Sequence, residues 1–217
     1  MKPTPSSLLI ACCMLVSVNA NAAEVYGGAG FPGLTLGYSQ QINDSISLRG
    51  EYSGGLNLSR SGARDGIDFN GNLKANTIGV FGDYYPIAGS GFRGTGGVTF
   101  NDIKARLDST GNNGTATINN KPVNLNGLFY NVELKYPSVT PYLGVGYQTK
   151  RSGNPGWGFF VDAGVMLGKF ETTTRQNIVG TQGIVQADVD AQTNKVRESV
   201  NQLSVRPKLT LGAIYSV

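Results

Sequence analysis

The chain has no histidine, and its only cysteines, Cys12 and Cys13, fall within the first two dozen residues. These absences exclude serine–histidine and cysteine–histidine nucleophilic systems and zinc sites built from nitrogen and sulfur ligands. They also remove disulfides from the mature chain, although an exported protein meets a compartment that permits them. Charge of one sign is scarce. Without Lys2 the chain keeps 17 of its 18 basic residues against 14 acidic ones, a net of +3, too small and scattered to argue for nucleic acid. Long apolar runs are missing too. Beyond the N-terminal leader nothing approaches the ~18 apolar residues of a membrane-spanning helix. No motif calls for a cofactor.

Residues 1–22 have the anatomy of a secretory signal, with Lys2 as the positive charge and Leu8 to Val18 as the apolar run. Ala20-Asn21-Ala22 supplies the small-x-small cleavage pattern, so the mature chain is expected to start at Ala23. A rival reading takes Leu9-Ile10-Ala11-Cys12 as a lipoprotein box, but the apolar stretch before Cys12 is short for a signal core. The expected organisation is therefore 1–22 signal peptide and 23–217 one barrel domain.

What the chain does have is glycine, 31 in 217 residues against a usual share of ~7%, and clean alternation. Ile46, Leu48, Tyr52, Leu56 and Leu58 share one parity, whereas Ser47, Arg49, Glu51 and Ser53 share the other. Successive strand side chains point to opposite faces, so this segment has one apolar and one charged face. The pattern repeats in Lys74 to Tyr85, Phe92 to Asn101, Leu128 to Tyr136, Tyr142 to Thr149, Trp157 to Leu167 and Pro207 to Val217. Glu24 to Ile42 changes parity at Pro32-Gly33; a bulge in one long strand is the preferred reading and a tight hairpin the alternative. Pro137-Ser138 is taken to end one strand before the next begins. Ser59 to Asn72 and Lys104 to Asn126 read as long polar loops, the second carrying a small hairpin at Asn119-Asn120. Lys169 to Val185 reads as irregular, and Asp188 to Leu203 as a helix through Val189, Val196, Val200 and Leu203. Alternating strands behind an export signal place apolar side chains toward lipid and charged ones inside. The expected fold is all-β, a closed antiparallel transmembrane β-barrel of eight strands, with ten as the alternative and one short helix before the last strand.

On that parity Arg49, Glu51, Asp83, Arg93, Glu133, Lys135, Asp162 and Lys208 point into the lumen, four basic and four acidic. A wet pore carries an excess of one sign; balanced charge in a narrow bore predicts a paired network, because an unpaired buried charge costs several kcal/mol. Aromatic residues near strand ends, Tyr84, Tyr130, Tyr136, Tyr147, Trp157 and Tyr215 foremost, with Tyr26, Tyr85 and Tyr142, predict lipid-headgroup girdles. The stretch Asp65-Gly-Ile-Asp68-Phe-Asn70-Gly-Asn72 is rich in oxygen ligands, yet it lacks the central glycine and closing glutamate of an EF-hand, so no metal is expected there.

Several segments together resemble a known group. Val25-Tyr-Gly-Gly-Ala-Gly-Phe-Pro-Gly33, Leu48-Arg49, Asp83-Tyr-Tyr-Pro86, Gly91-Phe-Arg-Gly94 and Pro141-Tyr-Leu-Gly-Val-Gly146 carry the likeness. Gly156-Trp157, Asp162-Ala-Gly-Val165 and the closing Leu-Gly-Ala-Ile-Tyr215 complete it. The chain resembles uncharacterised small outer-membrane β-barrel proteins of proteobacteria, in the broad OmpA/OmpX/OmpW-like class. The resemblance implies a closed barrel in a Gram-negative outer membrane and no established activity. One departure is that such barrels end in Phe or Trp, whereas this chain ends in Val217. The expected role is structural or surface-interacting, with a lumen plugged by side chains and no enzymatic activity. A narrow channel for small or apolar solutes is the first alternative, and a histidine-independent lipid-modifying enzyme using Ser, Asp, Tyr and Lys the second. Expected partners are outer-membrane lipid and lipopolysaccharide, and the barrel-assembly machinery during biogenesis. The ligand of the long loops is not readable from the sequence.

Overall fold

The computed structural model describes residues 23–217 apart from 65–66, 88, 112–113, 125, 150–154 and 202–204. The expected signal peptide and the first two residues of the oxygen-rich stretch at 65–72 lie outside the described residues. In chain order the elements are β1 (Ala23–Phe31), β2 (Gly33–Asn43), β3 (Ile46–Arg64), β4 (Ile67–Tyr84), β5 (Phe92–Gly111), β6 (Thr115–Ile118) and β7 (Lys121–Asn124). They continue as β8 (Phe129–Lys135), β9 (Val139–Gln148), β10 (Gly156–Leu167), β11 (Glu171–Gln176), α1 (Gln186–Asn201) and β12 (Val205–Ser216).

Eight antiparallel strands close on themselves in the order β1, β2, β3, β4, β5, β9, β10, β12 and back to β1. The expected count holds, but through two differences that cancel. Glu24 to Ile42 is a hairpin, with Gly30 paired to Gly33 across the turn. Gly33 takes φ +129, and a Cβ there would strike the backbone of Gly54, so the turn requires glycine. The parity switch at Pro32-Gly33 thus marks a reversal of the chain, not a bulge. Conversely, β8 and β9 are one strand in register: Lys104 faces Lys135 and Phe100 faces Val139, so residues 101–103 lie opposite 136–138. Pro137 interrupts the ladder only locally. Tyr136 N still donates to Ile103 O at 3.0 Å and Asn101 N to Ser138 O at 2.8 Å.

The expected loops are largely strand. β3, β4 and β5 run on past the barrel wall, and with β8 and β11 they make a five-stranded extension on one side of the barrel mouth. Their polar composition hid them because they lie beyond the apolar band, so nothing enforces an apolar alternation there. The β6–β7 hairpin turns at Asn119 and Asn120, with φ 46 and 65, as a two-residue turn with both central residues at positive φ requires. Helix α1 covers most of the stretch expected to be helical. It packs with the hairpin over the extension through Ile118, Val123, Ile178, Ile184 and Val189, against Leu128 and Tyr130.

Within the wall the faces sort inside out relative to a soluble sheet. Leu34, Leu36, Ile78, Leu143, Trp157, Phe159 and Leu211 are all more than half exposed. Arg49, Glu51, Asp83, Arg93, Asp162 and Lys208 are each 6% exposed or less. A band of apolar side chains girdling a closed barrel is the surface that lipid requires. No helix among the described residues is long and apolar enough to cross a membrane.

Candidate functional site

The lumen is filled in two layers. Toward the end that holds both termini, three cations and several carboxylates meet across the bore. Arg49 Nη1 donates to Asp162 Oδ2 at 2.7 Å and Nη2 to Asp83 Oδ1 at 3.2 Å. Arg93 Nη2 donates to both Asp162 oxygens, at 2.8 and 2.9 Å, and its Nη1 donates to Gln148 Oε1. Thr95 Oγ1 adds a donor to Asp83 at 2.6 Å. Lys208 pairs with Glu51, which also accepts from Tyr26 Oη and Ser53 Oγ, each at 2.8 Å. Gln148 Nε2 donates onward to Glu24 Oε1 at 2.9 Å, and Ser216 Oγ reaches the same oxygen at 3.3 Å. Seven of the eight barrel strands, all but β2, therefore join through charge-assisted bonds, which are about twice as strong as neutral ones.

The other layer is apolar: Ala75, Phe81, Ile103, Tyr136, Tyr142 and Met166 are all buried, with Leu56 and Phe170 packed on them. The layers meet through cation–π contacts. Arg49 lies 5.2 Å and Lys208 Nζ 5.5 Å from the centre of the Phe81 ring. Glycines on the inner wall make the room. A Cβ on Gly79 would enter the Phe81 ring, and one on Gly146 would enter Asp162.

Six of the eight residues expected in the lumen sit there together. Glu133 and Lys135 do not. Both lie on the outer face of the extension, where Glu133 accepts from Arg106 Nη2 at 2.5 Å and Lys135 is exposed. The reason is that β8 stands beyond the apolar outer band. There the ordinary rule returns, with the apolar face of Val132 and Leu134 turned inward and the charged face turned to water. Among the expected girdle aromatics, Tyr84, Tyr147, Trp157 and Tyr215 face outward near the termini end, with Trp157 and Tyr215 rings 5.1 Å apart. Tyr136 is instead 1% exposed, donating to Met166 O at 3.0 Å. Tyr130 is half-buried beneath α1, within 3.5 Å of Thr193 Oγ1. Tyr26, Tyr85 and Tyr142 also turn inward. For Tyr26 the signal was present: with Val25, Ala29 and Phe31 outward, Glu24 and Tyr26 belong inside by alternation. Their position near strand ends masked it. Among the described residues no group of three or more His, Cys, Asp or Glu side chains could hold a metal.

Crystal structures of two Acinetobacter baumannii proteins match this fold. CarO2 superposes with a TM-score of 0.61 at 21% identity, covering 91% of this chain and 99% of that one. CarO superposes at 0.56 and 19% identity, covering 89% and 96%. No protein-family model and no curated protein matches the chain. The chain is thus similar in fold, over nearly its whole described length, to CarO2 and CarO of Acinetobacter baumannii.

Proposed function

We propose that this chain is a sealed outer-membrane barrel of Gram-negative type, whose work is done at the surface by the extension, the β6–β7 hairpin and α1. The apolar outer band and the likeness to CarO2 and CarO in fold support the membrane part of this reading. The sealing rests on one observation: Arg49, Arg93, Asp83 and Asp162 knit the bore from wall to wall, and an aromatic layer stacks on them. Small solutes crossing would have to part buried ion pairs, and removing one partner of such a pair costs ~3–5 kcal/mol. The test is single-channel recording of the purified protein in planar bilayers. The expected trace is flat; steady openings of reproducible size would establish the channel reading instead. A variant with Arg49 and Arg93 both changed to Ala is expected to raise conductance from that baseline.

A further inference from the structure

The outer face of the extension carries an arrangement that sheet energetics disfavours. Lys74, Lys104 and Lys135 stand directly opposite one another on β4, β5 and β8. Like charges facing across strands are destabilising. Compensation is partial: Asp102 alone bridges Lys74 at 2.8 Å and Lys104 at 3.0 Å, and Lys135 has no ion pair among the described residues although Glu171 stands opposite it on β11. One row further out Arg106 pairs with Glu133. Lys74, Lys104 and Arg106 line an open cavity of about 450 Å³, with Ser59, Asn70 and Asn72 offering further polar groups; Asp108 and Glu133 also line it. Counting Lys135, Asp102 and Glu171, the patch holds four cations and four carboxylates, with the cations gathered in the row itself.

The position of the row gives it meaning. On the same outer face, four residues down each strand, lie Ile78, Phe100 and Val139, about half exposed and the last apolar row of the lipid-facing band. Four residues of tilted strand rise roughly 10 Å. A headgroup zone extends about 5–8 Å beyond the hydrocarbon, and lysine stems bend toward it while keeping the ammonium in the polar layer. The cationic row therefore stands at phosphate depth, facing outward rather than toward the lumen.

We propose that Lys74, Lys104, Lys135 and Arg106 form a docking site for the phosphate groups of an outer-leaflet glycolipid. This rests on the outer-membrane reading above. The cross-strand repulsion is relieved when phosphate oxygens sit between the lysines, and the wall below offers the acyl chains their apolar surface. Arg106 supplies the planar donor suited to phosphate.

The test uses the full mature chain, refolded into nanodiscs, with bound lipid counted by native mass spectrometry. The probes are diphosphoryl lipid A and its enzymatically dephosphorylated counterpart. Wild type is expected to retain the diphosphoryl form preferentially, with a preference that falls as salt rises. The double variant K104Q/K135Q is expected to weaken retention roughly thirtyfold, from the typical contribution of each near-surface cation. Lys195→Gln, on α1 and away from the row, should leave it unchanged. Equal retention by wild type and double variant, or no discrimination between the two lipids, would overturn the site. Inorganic phosphate held as tightly as the lipid would also overturn it. Heat-dependent gel mobility after refolding reports barrel insertion separately. An inserted barrel that ignores phosphate sinks this site alone, whereas a chain that never inserts sinks the membrane reading and the site with it.

Discussion

Asp162 shows how much a single side chain carries in this lumen. It is 2% exposed and accepts from both Arg49 and Arg93, so removing its charge leaves two buried guanidiniums short of a counter-ion. Asp162→Asn keeps the shape and loses the charge. It is expected to lower unfolding free energy by ~3–5 kcal/mol, the usual cost of breaking a buried pair. Urea titration in lipid vesicles, followed by Trp157 fluorescence, measures it; a change below ~1 kcal/mol would show that the network relaxes around the loss. Gly146→Ala tests the same spot from the neighbouring strand, where Gly146 of β9 is paired with Asp162, since its new Cβ would occupy the place of Asp162 Oδ1. It should approach the cost of Asp162→Asn without altering any charge, because an overpacked interior costs ~1–3 kcal/mol even before a bond is lost.

At the scale of elements, α1 is tied to the β6–β7 hairpin by one carboxylate. Asp188 accepts from Lys121 Nζ at 2.7 Å and from Asn119 Nδ2 at 3.0 Å. It also accepts from the backbone N–H of Val185 at 3.2 Å, the returning arm of a helix-start capping arrangement. Lys121 first, then Asn119 and the Val185 amide, hold its carboxyl down at about 2, below the usual value of ~3.9. A depressed carboxylate stabilises the folded form above its unfolded pKa and loses that contribution as pH falls. Docking of α1 should therefore be steady above pH ~4 and weaken between pH ~4 and 2. Hydrophobic-dye binding to the cluster under the helix would rise over that window. In Asp188→Asn it would already be raised at neutral pH and would not change further on acidification; an unchanged wild-type curve would contradict the assignment. The elements also record where the alternation rule changes meaning. In β4 the outer face runs Tyr84, Val80, Ile78, then Asn76, Lys74, Asn72, so the strand leaves the apolar band near Asn76. Beside the upper part of β5, β8 follows the sorting of a soluble sheet, which is why Glu133 and Lys135 were legible as one face but assigned to the wrong side.

For the molecule as a whole, the sorting makes an unusual demand on exposed positions. Leu211, midway along β12, is 62% exposed, and on a soluble protein such a site tolerates charge. Facing lipid near the bilayer midplane, Leu211→Arg should cost ~2–4 kcal/mol. Reversible urea unfolding in vesicles reads the cost, and a neutral outcome would mean that the band does not meet hydrocarbon. Lys169→Glu, beyond the wall, is the control expected to stay within ~0.5 kcal/mol.

The sequence by itself determined the periodicity: which residues share a face, and that Arg49, Glu51, Asp83, Arg93, Asp162 and Lys208 belong on the side away from Ile46, Leu48 and Leu211. Alternation is a local property of extended backbone and needs no neighbour to be read. Which strands pair, and at what height each one lies, are non-local. Pairing made Pro32-Gly33 a hairpin and joined β8 to β9, and height decided whether a charged face meets a packed bore or open water. Only the tertiary structure could bring Asp162 between Arg49 and Arg93, because those three strands are separated by up to 113 residues of chain and by a closure that no single segment encodes.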